Sequence, residues 1–451
     1  MVDYKTRHEQ FVSDLRGSSI NDIYWVFAAM IAAYASWAVA NSYLPPTKLP
    51  AKAADVFYNW LAPLLSLTLY SAQPVKFILL LVFPAALLAF AWPKEQPKQA
   101  PPKLEVLGHV GFVSAYRGLM LIVTMTAILA VDFPIFPRKY AKVETWGTSV
   151  MDLGVGSFVF SNGLVSARPL FQRAVNSRKV PGWRETLHLS GEILGLGVAR
   201  SIGVKLLNYQ EHVTEYGVHW NFFITLGVIP LTLPLFQALG RRIPLVLIGL
   251  MLAIGYELIL KNTGLMEFIL TAERSNLISQ NKEGIFSTIG FLAIFLIGQA
   301  AGYFVLPNAL TRSFLYPPRV PTDVGKPALA IRRKIILLFC FGVIFEVLFR
   351  IFNSQTRVSR RLANLPYILW VCGFNFFLLA SFAVISCMVS SAASNSILRV
   401  NKRGKAMFLI SNVLTGILNK CTHTIDAGPA KSISLLFAYM LVLYGIASNL
   451  P

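Results

Sequence analysis

Apolar runs long enough to cross a bilayer recur along this chain from Ile23 almost to its end, separated by mostly short polar loops. A spanning helix needs about 20 mostly apolar residues. The pattern predicts thirteen: near 23–44, 56–71, 75–92, 115–131, 148–166, 186–206, 218–239, 244–260, 285–310, 333–352, 366–394, 406–420 and 431–449. Runs 56–71 and 406–420 are short for a crossing, and 366–394 is long enough to hold a break. An odd count puts the two termini on opposite sides of the membrane. No polar stretch can build a core of its own. The expected fold is therefore all-α, one polytopic integral membrane domain over residues 1–451 with no soluble domain.

Composition sharpens this picture. Only 14% of the residues are charged, against about a quarter in soluble domains. The net charge of +20 would suggest nucleic acid in a soluble protein. Here the basic residues are spread over short loops, which points to membrane lipids instead. Loops after odd-numbered spans carry 22 Lys and Arg, the other side 17. Cations favour the cytosolic side. The reading is a lumenal N-terminal tail (1–22), a cytosolic proline-rich loop (93–114, with PKEQPKQAPP) and a cytosolic C-terminus. The mixed charges of the first 22 residues do not look like a cleavable leader. The four cysteines show no paired spacing and read as buried thiols.

Familiar catalytic devices are missing. GxxxxGK[ST], HExxH and GxSxG do not occur, which removes ATPase, metalloprotease and serine-hydrolase readings and leaves no metal site to propose. Charges inside the spans do stand out: Asp152, His188, Glu192, Arg200, Glu257 and Glu346. Each costs about 2.5–3.5 kcal/mol to insert at the bilayer centre, so each serves either function or internal pairing. Gly154 and Gly156 fit close helix packing, or room beside Val155 for a lipid tail.

Two polar runs are denser than loops require. The first, VDFPIFPRKYAKVETWGTSVMDLGVGSFVFSN from Val131, closes an apolar span with Asp132 and then stiffens the exit with Pro134 and Pro137. A carboxylate held near the Lys142 ammonium can serve as base and oxyanion stabiliser in acyl transfer. Cations touching lipid phosphates are the plainer alternative. The second run, NYQEHVTEYGVHWNFF from Asn208 to Phe223, gathers His212, His219, Glu211 and Glu215 in no metal-binding pattern.

Both runs resemble the signatures of the eukaryotic GPI inositol-acyltransferase family, of the fungal wall-transfer type. So do KTRHEQFVSDLRGSSIND from Lys5, SARPLFQ from Ser166 and NLPYILWVCGFN from Asn364. The resemblance implies a thirteen-span enzyme of the endoplasmic-reticulum membrane. It would move a fatty acyl chain, usually palmitoyl, from acyl-CoA to the inositol 2-hydroxyl of glucosaminyl-phosphatidylinositol. Acyl-CoA is then a co-substrate and no tightly bound cofactor is expected. Asp132 and Lys142 become the catalytic pair. Arg138, Trp146, Asn162, His219, Trp220 and Asn221 become substrate-binding residues, and Val155, Phe222 and Phe223 the acyl pocket. Cation-rich rims at 168–184 and 312–334 would attract the CoA polyanion. His188 and His219 remain alternatives to Asp132 as base. A lipid or solute transporter would use the intramembrane charges as a pathway, and a membrane scaffold would use them to pair helices.

Overall fold

A computed structural model describes residues 7, 10–44, 49–91, 110–175, 183–206, 213–307, 316, 330–389 and 394–450. Glu211 and His212 of the second polar run, and most of the proline-rich loop, lie outside them. Among the described residues the chain is helical, with one isolated antiparallel bridge between Ser18 and Thr148.

Ten helices are long and apolar enough to cross a membrane. They are α1 (Ile20–Tyr43), α4 (Pro74–Ala91), α5 (Gly111–Ala130), α6 (Val150–Val175), α9 (Phe222–Leu239), α10 (Leu245–Asn262), α13 (Lys282–Val305), α14 (Ile331–Gln355), α15 (Leu365–Met388) and α18 (Pro429–Asn449). The other three predicted crossings are helical but fall short of that measure. One is a composite of α2 (Leu49–Asp55), a π-helical turn (Val56–Leu61) and α3 (Ala62–Leu67). The others are α7 (Trp183–Leu206), diluted by charge, and the amphipathic α17 (Gly404–Cys421). Short helices fill the loops: α8 (Val213–Tyr216), α11 (Leu265–Thr271), α12 (Leu277–Gln280) and α16 (Asn395–Lys402).

The structure corrects several boundaries. Helix α1 takes the last residues of the predicted tail, starting at Ile20 because Ser19 caps it by accepting from the Asp22 N–H. Helix α5 takes the end of the predicted 93–114 loop, starting at Gly111. Helix α15 ends at Met388, short of the predicted end at 394, and α16 starts just beyond it at Asn395.

Helices α5, α6, α13 and α15 form the buried centre, while α4, α9 and α14 present apolar side chains outward. Small residues permit the close contacts at the centre. A Cβ on Gly163, Gly298 or Gly302 would strike the backbone of the facing helix in the α6–α13 pair.

Loops after even-numbered predicted crossings all collect on one face with the tail. Tyr140 donates to the Ser71 carbonyl, the Gly147 N–H to Val358 and the Val218 N–H to Gln280. Arg7 pairs with Asp426 at 2.5 Å, and the Glu144 N–H donates to Leu15. The candidate chemistry lies on this face.

Candidate functional site

The two polar runs are stitched together. The Lys142 ammonium lies 2.7 Å from Glu215, and Thr214 donates to Glu144 at 2.9 Å. Beneath them Asp152 and Arg360, almost fully buried, pair at 2.6 Å. The other Asp152 oxygen accepts from the Ser149 hydroxyl at 2.7 Å and the Val143 N–H at 3.0 Å. Arg360 also reaches Glu215 at 3.5 Å and stacks over Tyr216. Burial alone would lower Arg360, but the Glu215 and Asp152 carboxylates outweigh it and hold the guanidinium above its ordinary range.

A second buried cluster lies alongside. Glu283, fully enclosed in the first turn of α13, takes Arg274 at 2.6 Å and Arg361 at 2.8 Å, and Arg361 also lies 3.8 Å from Glu144. Asn281 ties down the second run by accepting from the His219 and Trp220 N–H groups. Gly217, at φ +132°, makes the turn that brings them there; a Cβ would meet the Asn281 backbone at 2.6 Å.

Lys142 meets Glu215, and Asp132 meets Asn419. Asp132 is buried at the end of α5 and accepts from the Asn419 side chain of α17 at 2.7 Å. Arg138 donates to the Phe133 and Phe136 carbonyls and stacks on Phe11, which folds the loop back on itself. Burial pushes Arg138 down to about 10, with Asp132 pulling the other way. Asn221 caps α9 and reaches back to Gly197 and Ser201 of α7. Trp220 donates to Thr225, and the His219 ring lies 3.1 Å from the Lys205 amine. Trp146 packs in a separate cluster with Tyr256, Leu260 and Leu362. His188 is exposed on α7.

Of the predicted acyl-pocket residues, Phe222 and Phe223 join one aromatic cluster, and Val155 lies on the stripe of α6 that supplies Phe158 to it. Helix α6 keeps one half-buried stripe, Met151, Gly154, Val155, Phe158 and Asn162, at helical spacing. Phe158 meets Phe222 of α9 at 5.8 Å and Phe408 of α17 at 6.0 Å, and Phe223 meets Phe408 at 5.8 Å. From Phe408 the same face of α17 runs through Asn412 and Thr415 to Asn419, the partner of Asp132. The eleven intervening steps span about 16 Å at the helical rise.

The two glycines of α6 differ. A Cβ on Gly156 would meet Val371 at 2.5 Å and the Tyr367 hydroxyl at 2.8 Å, so Gly156 serves packing; nothing lies within 4 Å of one on Gly154.

Most predicted intramembrane charges are paired. Glu192 takes Lys405, Glu257 takes Lys261 and the Leu365 N–H, and Glu346 takes Arg350 and the Tyr24 hydroxyl. Arg200 lies over Phe223. Of the cation rims, Arg173 pairs with Glu185, while 176–182 and 317–329 lie outside the described residues. All four cysteines are free thiols, and Cys340, Cys387 and Cys421 are exposed rather than buried as expected.

Sequence reading passed over Arg360, Arg361, Glu283, Asn281 and Asn419. One signal was present. Two arginines just ahead of a helix beginning Asn364-Leu365-Pro366 oppose its positive N-terminal dipole. Such a placement implies carboxylates close by.

A bundle of apolar helices with an ionic layer on one face defines a polytopic membrane protein. The profile of the GWT1 family matches residues 4–450, and the chain belongs to that family. Similar relatives carry the name GPI-anchored wall transfer protein 1. The Gibberella zeae protein is 40% identical over 99% of this chain and 97% of its own length. Those of Saccharomyces cerevisiae and Candida albicans are 39% and 38% identical, over 97% of this chain and 96% and 95% of theirs.

Proposed function

We propose that this chain is an acyl-CoA-dependent O-acyltransferase of GPI-anchor synthesis, working in the endoplasmic-reticulum membrane with its ionic face toward the lumen. It transfers a fatty acyl group, palmitoyl by family resemblance, to the inositol 2-hydroxyl of glucosaminyl-phosphatidylinositol. The observation that carries the reading is the aromatic cluster of Phe158, Phe222, Phe223 and Phe408, from which α17 leads to the buried carboxylate of Asp132. An acyl chain needs apolar surface to lie against, and the hydroxyl that attacks its activated carbonyl needs a base.

In this reading Asp132 accepts the inositol hydroxyl proton as that oxygen attacks the thioester carbonyl. The C–S bond then breaks, and Asp132 returns the proton to the departing CoA sulfur. Lys142 supplies positive charge for the oxyanion. A well-placed base contributes about 10²–10⁴-fold. Asn419, donating to one Asp132 carboxylate oxygen, helps hold that side chain in place.

The test is thin-layer analysis of microsomes supplied with acyl-CoA and glucosaminyl-phosphatidylinositol. Wild-type protein yields the acylated lipid, and Asp132→Asn loses at least about 10²-fold of that rate while still binding acyl-CoA. Lipid left chemically unchanged by the wild type would instead identify a transporter or scaffold. Near-wild-type transfer by Asp132→Asn would remove Asp132 as base and turn attention to His188 and His219.

A further inference from the structure

We propose that Arg360 is a positioning residue for Lys142, an inference resting on the acyltransfer reading above. The residues form a closed ring. The Lys142 ammonium meets Glu215 at 2.7 Å, Glu215 meets Arg360 at 3.5 Å, and Arg360 Nε meets Asp152 at 2.6 Å. Asp152 then accepts from the N–H of Val143, the residue covalently attached to Lys142. Lys142 is therefore gripped at its backbone and at its side-chain tip by two carboxylates, and one guanidinium joins the two grips.

The ring is anchored below the rim. The Arg360 side chain is 3% exposed and that of Lys142 35%, so the fixed member is Arg360 and the member open to substrate is Lys142. Ser149 holds the Asp152 carboxylate, Tyr367 donates to its backbone carbonyl, and the Tyr216 ring faces the guanidinium. Two cations and two carboxylates leave the ring neutral, which makes burial tolerable.

Arginine suits the place because its planar fork can engage two carboxylates at once, whereas a lysine offers one point charge. Glu215 is shared. Without the claim of Arg360 on it, Glu215 would hold the ammonium alone and draw it toward α8. With that claim, part of the Lys142 charge stays available at the rim for a developing oxyanion. A displacement of about 1 Å can cost about 10²-fold in rate.

The test compares Arg360→Lys, Glu215→Gln and their combination, purified in detergent, with kcat and the acyl-CoA KM measured separately. Each single variant is expected to lose about tenfold to a hundredfold of kcat with KM little changed. The combination should lose no more than the stronger single, because both break the same chain of contacts. Wild-type kcat in both singles, or a combined loss equal to their product, would overturn the proposal. Should Arg360→Lys fail to fold, Glu215→Gln decides alone, since it leaves the buried Asp152–Arg360 pair in place. Lys142→Ala separates the two levels of the argument. If that variant keeps wild-type kcat, the role of Lys142 itself falls; if it is inactive while the other variants are not, only the positioning role falls.

Discussion

At the scale of single residues, the ionic face is governed by buried charges that cannot be left alone. Glu283 is the sharpest case, one enclosed carboxylate serving two arginines. It also sits in the first turn of α13, where a negative charge is favoured by the helix dipole. Removing one member of a buried ionic cluster costs about 3–5 kcal/mol, because the partners stay buried. Glu283→Gln should therefore lower the melting temperature of detergent-solubilised protein markedly, leaving Arg274 and Arg361 to repel one another. Arg274→Gln should cost much less, since Arg274 is the more exposed arginine and Arg361 still neutralises the carboxylate. Equal losses in thermal melts of the two variants would contradict this ranking.

At the scale of elements, helix α6 divides its labour between two faces. Gly156, Gly163 and the buried side chains between them pack against α13 and α15, while the stripe from Met151 to Asn162 stays half open. Gly156→Leu should lower the folded yield, since the side chain would have to displace Val371 and Tyr367. Val155→Trp should fold normally and impair transfer by covering the neighbouring aromatic cluster; full activity in that variant would take the acyl chain elsewhere. This division was partly legible in the sequence. The glycine pair and the Phe222-Phe223 doublet could be named from the pattern, because small and aromatic residues have few uses inside a membrane. Which glycine packs and which is open was not legible, since that depends on helices more than 200 positions away along the chain. The same holds for Asn419, nearly 300 positions from the carboxylate it orients. The π-helical turn at Val56–Leu61 was also hidden, because hydropathy reports apolar length and not hydrogen-bond register.

At the scale of the whole molecule, the contacts between loops bear on topology more directly than the charge count does. The bias of 22 loop cations against 17 is small for a protein of so many crossings. The structure explains why. On the minority side Arg7, Lys139, Lys142, Lys261, Arg274, Arg350, Arg360 and Arg361 each pair with a carboxylate. Those residues are on that face for folded-state reasons, so they dilute the topogenic signal without contradicting it. The grouping of the tail with the loops at 68–73, 131–149, 213–221, 272–281, 356–364 and 422–428 fits a chain that returns to one face after every second predicted crossing. In that topology α18 leaves this face last, and the C-terminus is expected on the other. Reporter fusions at Asn21 and Pro451 should accordingly report opposite sides, the first modified by lumenal glycosylation and the second accessible from the cytosol. Two reporters on the same side would mean that one of the three weaker crossings, 49–67, α7 or α17, does not traverse. A lumenal C-terminus with a cytosolic tail would keep the alternation but place the ionic face, and the Asp132 carboxylate, in the cytosol.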